Sequence, residues 1–211
     1  METLIALALG LIIATVNPNK EIEKETFKNK EEIIYNETAK RTHDLIHTNL
    51  AIRFDWEKQH VLGTADLTLK PYFHATNQLI LDAKGFDIHS IKMNGKNLNY
   101  DYDSLLLTIT LDKIYSREEN YVINIEYTAK PNELDVKGSR AISDAKGLYF
   151  INPLGEEDKP QQIWTQGETE ASSCWFPTID KPNEQMTQNI AITVQDKFVT
   201  LSNGLLAKSI K

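Results

Sequence analysis

The chain has 211 residues, 41% of them hydrophobic and 25% charged, a composition ordinary for one generous folded domain or two small ones. Its 30 acids against 23 bases leave a formal charge of −7, which weighs against a nucleic-acid or anionic-membrane partner, because binding phosphates takes a basic face. A lone cysteine, Cys174, excludes an intrachain disulfide and a cysteine-built zinc site.

Leu4 to Val16 (LIALALGLIIATV) is an uninterrupted apolar run without charge. It falls short of the ~20 residues of a membrane span but has the length of a secretory apolar region. Glu2 stands where a basic flank is usual, and Ala14-Thr15-Val16 is a poor cleavage site; a buried first strand or helix is the other reading. The charged stretch that follows favours export, so residues 1–16 are expected to be a signal peptide and the protein periplasmic or secreted. Residues 17–42 are rich in Lys, Glu, Asn and Thr and read as a linker to a domain over 43–211. No transmembrane span is expected.

From His47 the apolar period becomes two. Leu50, Ile52 and Phe54 alternate with polar neighbours, and Val61, Gly63, Ala65, Leu67 and Leu69 repeat the pattern up to Pro71. Such alternation marks strands with one face on a core. Asp55 to His60 is short and polar enough for a hairpin connection. Gln78 to Asp82, Ile88 to Met93, Leu105 to Leu111 and Tyr121 to Tyr127 continue the series, with Asn94-Gly95 as a tight-turn signal. Gly147 to Ile151, Ile190 to Val194 and Phe198 to Leu201 complete it. Many strands and no convincing amphipathic helix predict an all-β fold, a β-sandwich or a saddle-like multi-sheet arrangement.

Within THDLIH, His43 and His47 are four apart with Asp44 after the first, the layout of the zinc-binding H-E-x-x-H motif with Asp for Glu. That pair converges on one metal only on a helix. In an extended chain residues four apart lie ~13 Å apart. His60, His74 and His89 fall in or near strands without paired acids, and Asp would shorten a general base by a methylene. The pattern predicts strand and no zinc here.

Trp164 to Pro182 (WTQGETEASSCWFPTIDKP) breaks the alternation with two tryptophans, a phenylalanine, two prolines and the only cysteine. It reads as a compact loop held by aromatic packing, either plugging one end of the core or turning carboxylates toward a ligand.

The order Gln166-x-Glu168, then Pro177, Asp180 and Pro182 with Phe176 before the first proline, resembles the N-terminal β-domain of the aminopeptidase N family, zinc metalloaminopeptidases that include leukotriene hydrolase. Asp44, His47, Leu50, Ile52, Phe54 and Asp55 are similar to the start of that domain, and Gly147 to Ile151 to a segment before its loop. The resemblance spans roughly residues 42 to 205. It implies a saddle of mixed sheets packed on a thermolysin-like catalytic domain. It also implies that Glu168 projects into the active site and binds the free α-amine of the substrate peptide, with Gln166 lining the first subsite. A carboxylate in a partly desolvated pocket suits that role, pairing strongly with ammonium and rejecting blocked amines. Phe176, Pro177, Asp180 and Pro182 are read as scaffold. Ser173 stands where many members carry arginine and Thr178 where cysteine is common, which leaves the local packing open. Cys174 has no nearby histidine in sequence and is read as a packing residue.

The family's G-x-M-E-N and H-E-x-x-H motifs do not occur in the chain. The resemblance therefore implies an N-terminal part of a longer enzyme, with zinc held by the catalytic domain of that parent, no cofactor of its own and no activity alone. Its implied partners are a peptide N-terminus and that catalytic domain. The alternative is a non-catalytic exported β-sandwich, a binding or interaction module with Trp164, Trp175, Tyr149 and Phe150 as a platform for glycan or peptide.

Overall fold

The computed structural model describes residues 40–135 and 144–210. The apolar run over 1–16 and nearly all of the expected linker lie outside them. Eleven strands run β1 His43–Asp55, β2 His60–Pro71, β3 Thr76–Asp82, β4 Phe86–Met93, β5 Lys96–Asn97, β6 Tyr100–Tyr102, β7 Leu106–Tyr115, β8 Tyr121–Ala129, β9 Leu148–Ile151, β10 Gln162–Thr165 and β11 Thr187–Thr193. Only two single-turn 3-10 segments, Pro131–Glu133 and Ser172–Cys174, interrupt them among the described residues. None of the described helices is long and apolar enough to cross a membrane. The expected all-β, multi-sheet class is what the chain adopts.

The strands form a six-stranded sheet ordered β11-β1-β2-β8-β4-β5, a three-stranded sheet β3-β7-β6 and a β9–β10 ribbon. All pairings are antiparallel except β1 with β11. The alternation of β2 becomes strict one-sided burial, with Val61, Gly63, Ala65, Leu67 and Leu69 inward. Ile123, Ile125 and Tyr127 of β8 bury the same way. These side chains join Leu79 and Leu81 of β3 and Leu107 and Ile109 of β7 in one hydrophobic cluster, so a single core serves both larger sheets. At the expected tight turn Asn94 and Gly95 both have positive φ, 50° and 78°, and Met93 pairs with Lys96 across it.

β1 begins at His43, four residues before the alternation becomes visible. A bulge between Leu45 and His47 shifts its register against β2. The inserted residue inverts the inward parity: His43 and Leu45 are buried before it, Thr48, Leu50 and Ile52 after it. His43 and His47 therefore face opposite sides of the sheet. Arg41 and Thr42, at the end of the expected linker, are tied down. Arg41 pairs with Asp44 at 2.9 Å and Glu184 at 3.0 Å, and the Tyr72 amide donates to the Thr42 carbonyl at 2.9 Å.

One expected strand does not form. Phe198 to Leu201 has no regular secondary structure, and Val199 and Leu201 are 97% and 95% exposed. Alternation makes a segment suitable for a sheet, but a strand exists only where a neighbour takes its backbone hydrogen bonds. Phe198 instead stacks on Trp56 with ring centroids 4.9 Å apart.

Candidate functional site

Gln166 continues the β9–β10 ribbon. Ile163 pairs with Phe150, Trp164 with Tyr149 and Thr165 with Leu148. The Gln166 amide then donates to the Gly147 carbonyl at 2.9 Å, one step past the last strand pair. Because side chains alternate along a strand, Leu148 and Phe150 turn into the core while Tyr149 and Trp164 face out. Those two rings stack at 4.3 Å between centroids, and Trp164 remains 46% exposed. Gln166, two residues on from Trp164, is half-buried.

After Gly167 the chain leaves the ribbon. The Ala171 amide donates back to the Gly167 carbonyl at 3.0 Å, closing a loop that carries Glu168. The Glu168–Thr169 peptide is cis. Glu168 is exposed, and among the described residues its carboxylate has no hydrogen-bond or ion-pair partner. It lies at the surface of this domain.

The residues beyond the loop anchor it. Ala171, Ser173, Cys174, Trp175, Phe176, Pro177 and Thr178 are all buried. The Ser172–Cys174 turn is capped from Asp180, whose Oδ2 accepts the Ser173 amide at 2.8 Å. Asp180 is itself held through its own amide, which donates to Asp82 Oδ2 at 2.9 Å. Thr178 forms an antiparallel bridge with Asp82, with bonds of 2.8 and 3.1 Å. The scaffold reading of Phe176, Pro177 and Asp180 matches this placement; Pro182 is exposed.

Gly147 underlies the whole arrangement. Its φ is +72°, and a Cβ there would stand 1.9 Å from the Ala171 carbonyl oxygen. Only glycine lets the ribbon and the loop approach so closely in that conformation.

Burial pushes the Cys174 thiol up to about 11, a shift that neighbouring Lys84 opposes and Asp180 reinforces. Its Sγ lies 3.4 Å from the Ala145 carbonyl. A fully buried thiol kept protonated is a packing group.

The four-ring platform does not assemble. Trp175 and Phe150 are buried in the core cluster, which leaves only the Tyr149–Trp164 pair at the surface. Strand alternation separates adjacent Tyr149 and Phe150 onto opposite faces.

The two histidines of THDLIH also do not converge on one metal ion. His43 is buried on one face of β1, while His47 on the other hydrogen-bonds Thr187 at 2.6 Å and Asn49 at 3.1 Å. Among the described residues no three His, Cys, Asp or Glu side chains gather as a metal site.

Three residues around the loop escaped sequence reasoning: Lys84, Asp82 and Lys181. The first two belong to the end of β3 and the connection to β4, far from the loop in sequence. Only Lys181 lay inside the segment that stood out.

The sequence model of the Peptidase M1 N-terminal domain matches residues 19–211. Aminopeptidase N of Lactobacillus helveticus is 26% identical over 160 residues, covering 74% of this chain and 17% of that protein. Transcription initiation factor TFIID subunit 2 of Gallus gallus is 22% identical over 201 residues, covering 81% of this chain and 17% of that protein. The chain thus spans less than a fifth of the length of these curated relatives. Among solved structures, a two-domain M1 zinc metallopeptidase bound to L-arginine superposes with a TM-score of 0.67 at 17% identity, over 82% of this chain and 37% of that one. Native leukotriene A4 hydrolase from Saccharomyces cerevisiae gives 0.56 at 18% identity, over 72% and 23%. At such identities the structures establish the fold, and with the family model matching from residue 19 to the last, the chain belongs to the Peptidase M1 N-terminal domain family.

Proposed function

We propose that this domain serves a zinc-dependent aminopeptidase, which removes N-terminal residues from peptides, by supplying the carboxylate that holds the substrate's free α-amine. Glu168 is that group, with Gln166 beside it lining the first subsite. The observation that carries the reading is the presentation of this pair. A flexible surface carboxylate would be a poor anchor, but this one projects from a short closed loop set on a buried base. An ammonium pairs with such a carboxylate by charge-assisted hydrogen bonds that an acylated amine cannot make. The outward Tyr149–Trp164 stack beside Gln166 gives the same side of the ribbon an apolar surface suited to a thermolysin-like catalytic domain. That domain would close over Glu168 and provide the desolvation this one lacks, together with the zinc.

In the enzyme that carries both domains, Glu168→Gln is expected to raise KM for free-amine substrates by roughly tenfold or more, the scale of one lost charge-assisted bond. An unchanged KM overturns the assignment.

A second reading, a non-catalytic binding or interaction module, draws support from the relatives named as a transcription initiation factor subunit and not as a peptidase. Under it Glu168→Gln leaves recognition of a free peptide amine unaffected. Export is proposed on the apolar run Leu4–Val16 and the charged stretch that follows it. Fusing residues 1–20 to an alkaline phosphatase that is active only outside the cytoplasm tests it, and an inactive fusion rules it out.

A further inference from the structure

Glu168 lies in the loop 167–171, whose two ends are joined by the Ala171 amide and the Gly167 carbonyl. That bond closes the loop without fixing its tip. Glu170, near the tip, has a φ of +56°, a left-handed conformation that residues with a side chain rarely adopt. Something outside the loop must hold it there.

Two lysines reach it, and the Ser173 hydroxyl lies within weak hydrogen-bond reach of the Glu170 carbonyl oxygen at 3.4 Å. Lys84, in the connection between β3 and β4, donates from Nζ to the Glu170 carbonyl oxygen. Its own amide donates to the Ser173 carbonyl at 2.8 Å, so one residue grips the segment at two points. Lys181 pairs with the Glu170 carboxylate at 2.8 Å and lies 3.9 Å from Asp82.

The two holds differ in kind. The Lys181 pair joins side chains at a half-exposed carboxylate, where ion pairs contribute little. The Lys84 bond ends on a main-chain atom and constrains the backbone itself. Its base is also stapled: the Asp82 amide donates to Thr178, the Ala83 amide to Leu105 at 2.9 Å and the Gly85 amide to Ser104 at 2.8 Å. Lys84 is a strut from a fixed corner to a carbonyl two residues beyond Glu168.

We propose that Lys84 is the positioning residue of the Glu168 loop, its ammonium holding the Glu170 carbonyl so that the Glu168 carboxylate keeps one place relative to an incoming amine. The hold stands on this geometry alone; its purpose rests on Glu168 being the amine anchor.

The test uses the whole chain in solution and NMR relaxation. Lys84→Met preserves the stem and removes the donor, whereas Lys84→Arg retains one. In Lys84→Met the amide order parameters of Glu168, Thr169 and Glu170 are expected to fall from the rigid value of about 0.85 to below about 0.6. Lys84→Arg restores them, and Lys181→Met leaves them unchanged. Rigid amides in a folded Lys84→Met overturn the proposal. Relaxation of the Lys84 ammonium in the wild-type chain gives a readout that needs no variant: a restricted group supports the strut, a freely rotating and flexing one overturns it.

In the enzyme that carries both domains, where Glu168 is desolvated, phenylalanine amide and its acetylated analogue then separate this inference from the one beneath it. A response of the Glu168 carboxyl carbon to the free amine only, weakened severalfold in Lys84→Met, supports both. A mobile loop in Lys84→Met, with equal responses to both compounds in the wild type, sinks the amine anchor and leaves the strut standing.

Discussion

The Tyr127 hydroxyl, at the core end of β8, donates at 3.1 Å to the carbonyl of Trp175 in the loop beyond β10. The phenol is almost wholly buried, which raises its pKa and favours the protonated, donating form. The bond couples the six-stranded sheet to the base of the Glu168 loop. Tyr127→Phe should leave the Trp175 carbonyl buried without that donor, at a cost of about 1–2 kcal/mol. Urea unfolding measures it. A variant within about 0.3 kcal/mol of wild type would mean that the carbonyl finds another partner.

Gly147→Ala attacks the same loop from the ribbon side. The new methyl would stand 1.9 Å from the Ala171 carbonyl oxygen at a φ of +72°, so overlap and backbone strain act together. The expected loss is about 2–4 kcal/mol. If the variant remains folded, the amides of Gln166 and Ala171 should show the largest chemical-shift changes, because their hydrogen bonds flank the displaced contact. Changes spread evenly over the domain would contradict this local account.

These two sites show what the sequence could and could not convey. The alternation of Val61, Ala65, Leu67 and Leu69 identified β2, because period-two burial is written in neighbouring residues. Gly63 fell into the same alternation, yet its role is different. A Cβ there would lie 2.3 Å from Tyr127 Cζ on the adjacent strand, a constraint visible only once the register of β2 against β8 is known. The Gln166–Glu168 segment stood out through composition and family resemblance. Lys84 gave no signal, since a lysine after a strand is ordinary until tertiary structure brings Glu170 to it. Phe198 to Leu201 failed in the other direction: its pattern suits a strand, but no described element pairs with it.

His43 predicts a pH dependence. Burial lowers its pKa to about 4; it is 1% exposed, packs edge-on against Tyr121 at 6.2 Å and leaves Nε2 without a hydrogen-bond partner among the described residues. The unfolded chain, with an ordinary histidine near 6.5, takes up the proton first as pH falls. The unfolded state therefore binds more protons between about 6.5 and 4, and stability rises with pH through that window. The contribution is complete above the window and lost toward its lower end, up to about 3 kcal/mol from the size of the shift. Urea unfolding at pH 7.0 and 4.5 should show a smaller difference for His43→Phe than for wild type. Equal differences would assign the acid sensitivity to other groups.

Glu184 predicts that the bulge in β1 depends on a carboxylate remote in sequence. Its side chain is 3% exposed. Oε1 accepts the Leu45 amide at 2.7 Å, and Oε2 accepts Arg41 Nε at 3.0 Å. Leu45 precedes the first residue pair of β1 with β11, His47 with Thr187, so no strand neighbour is available on that side, and the carboxylate takes the place of a backbone carbonyl. Arg41 neutralises the buried charge while its guanidinium lies 4.1 Å above the Tyr72 ring. Glu184→Ala strands both the amide and the guanidinium, and should cost about 3 kcal/mol, the scale for removing one partner of a buried pair. Glu184→Gln keeps an acceptor for Leu45 and loses only the charge, so its cost should be roughly half as large. Hydrogen exchange at the Leu45 amide separates the two roles. It should quicken sharply in Glu184→Ala and stay slow in Glu184→Gln, whereas equally fast exchange in both would show that the charge pairing of Glu184 with Arg41, and not the cap on Leu45, holds the bulge in place.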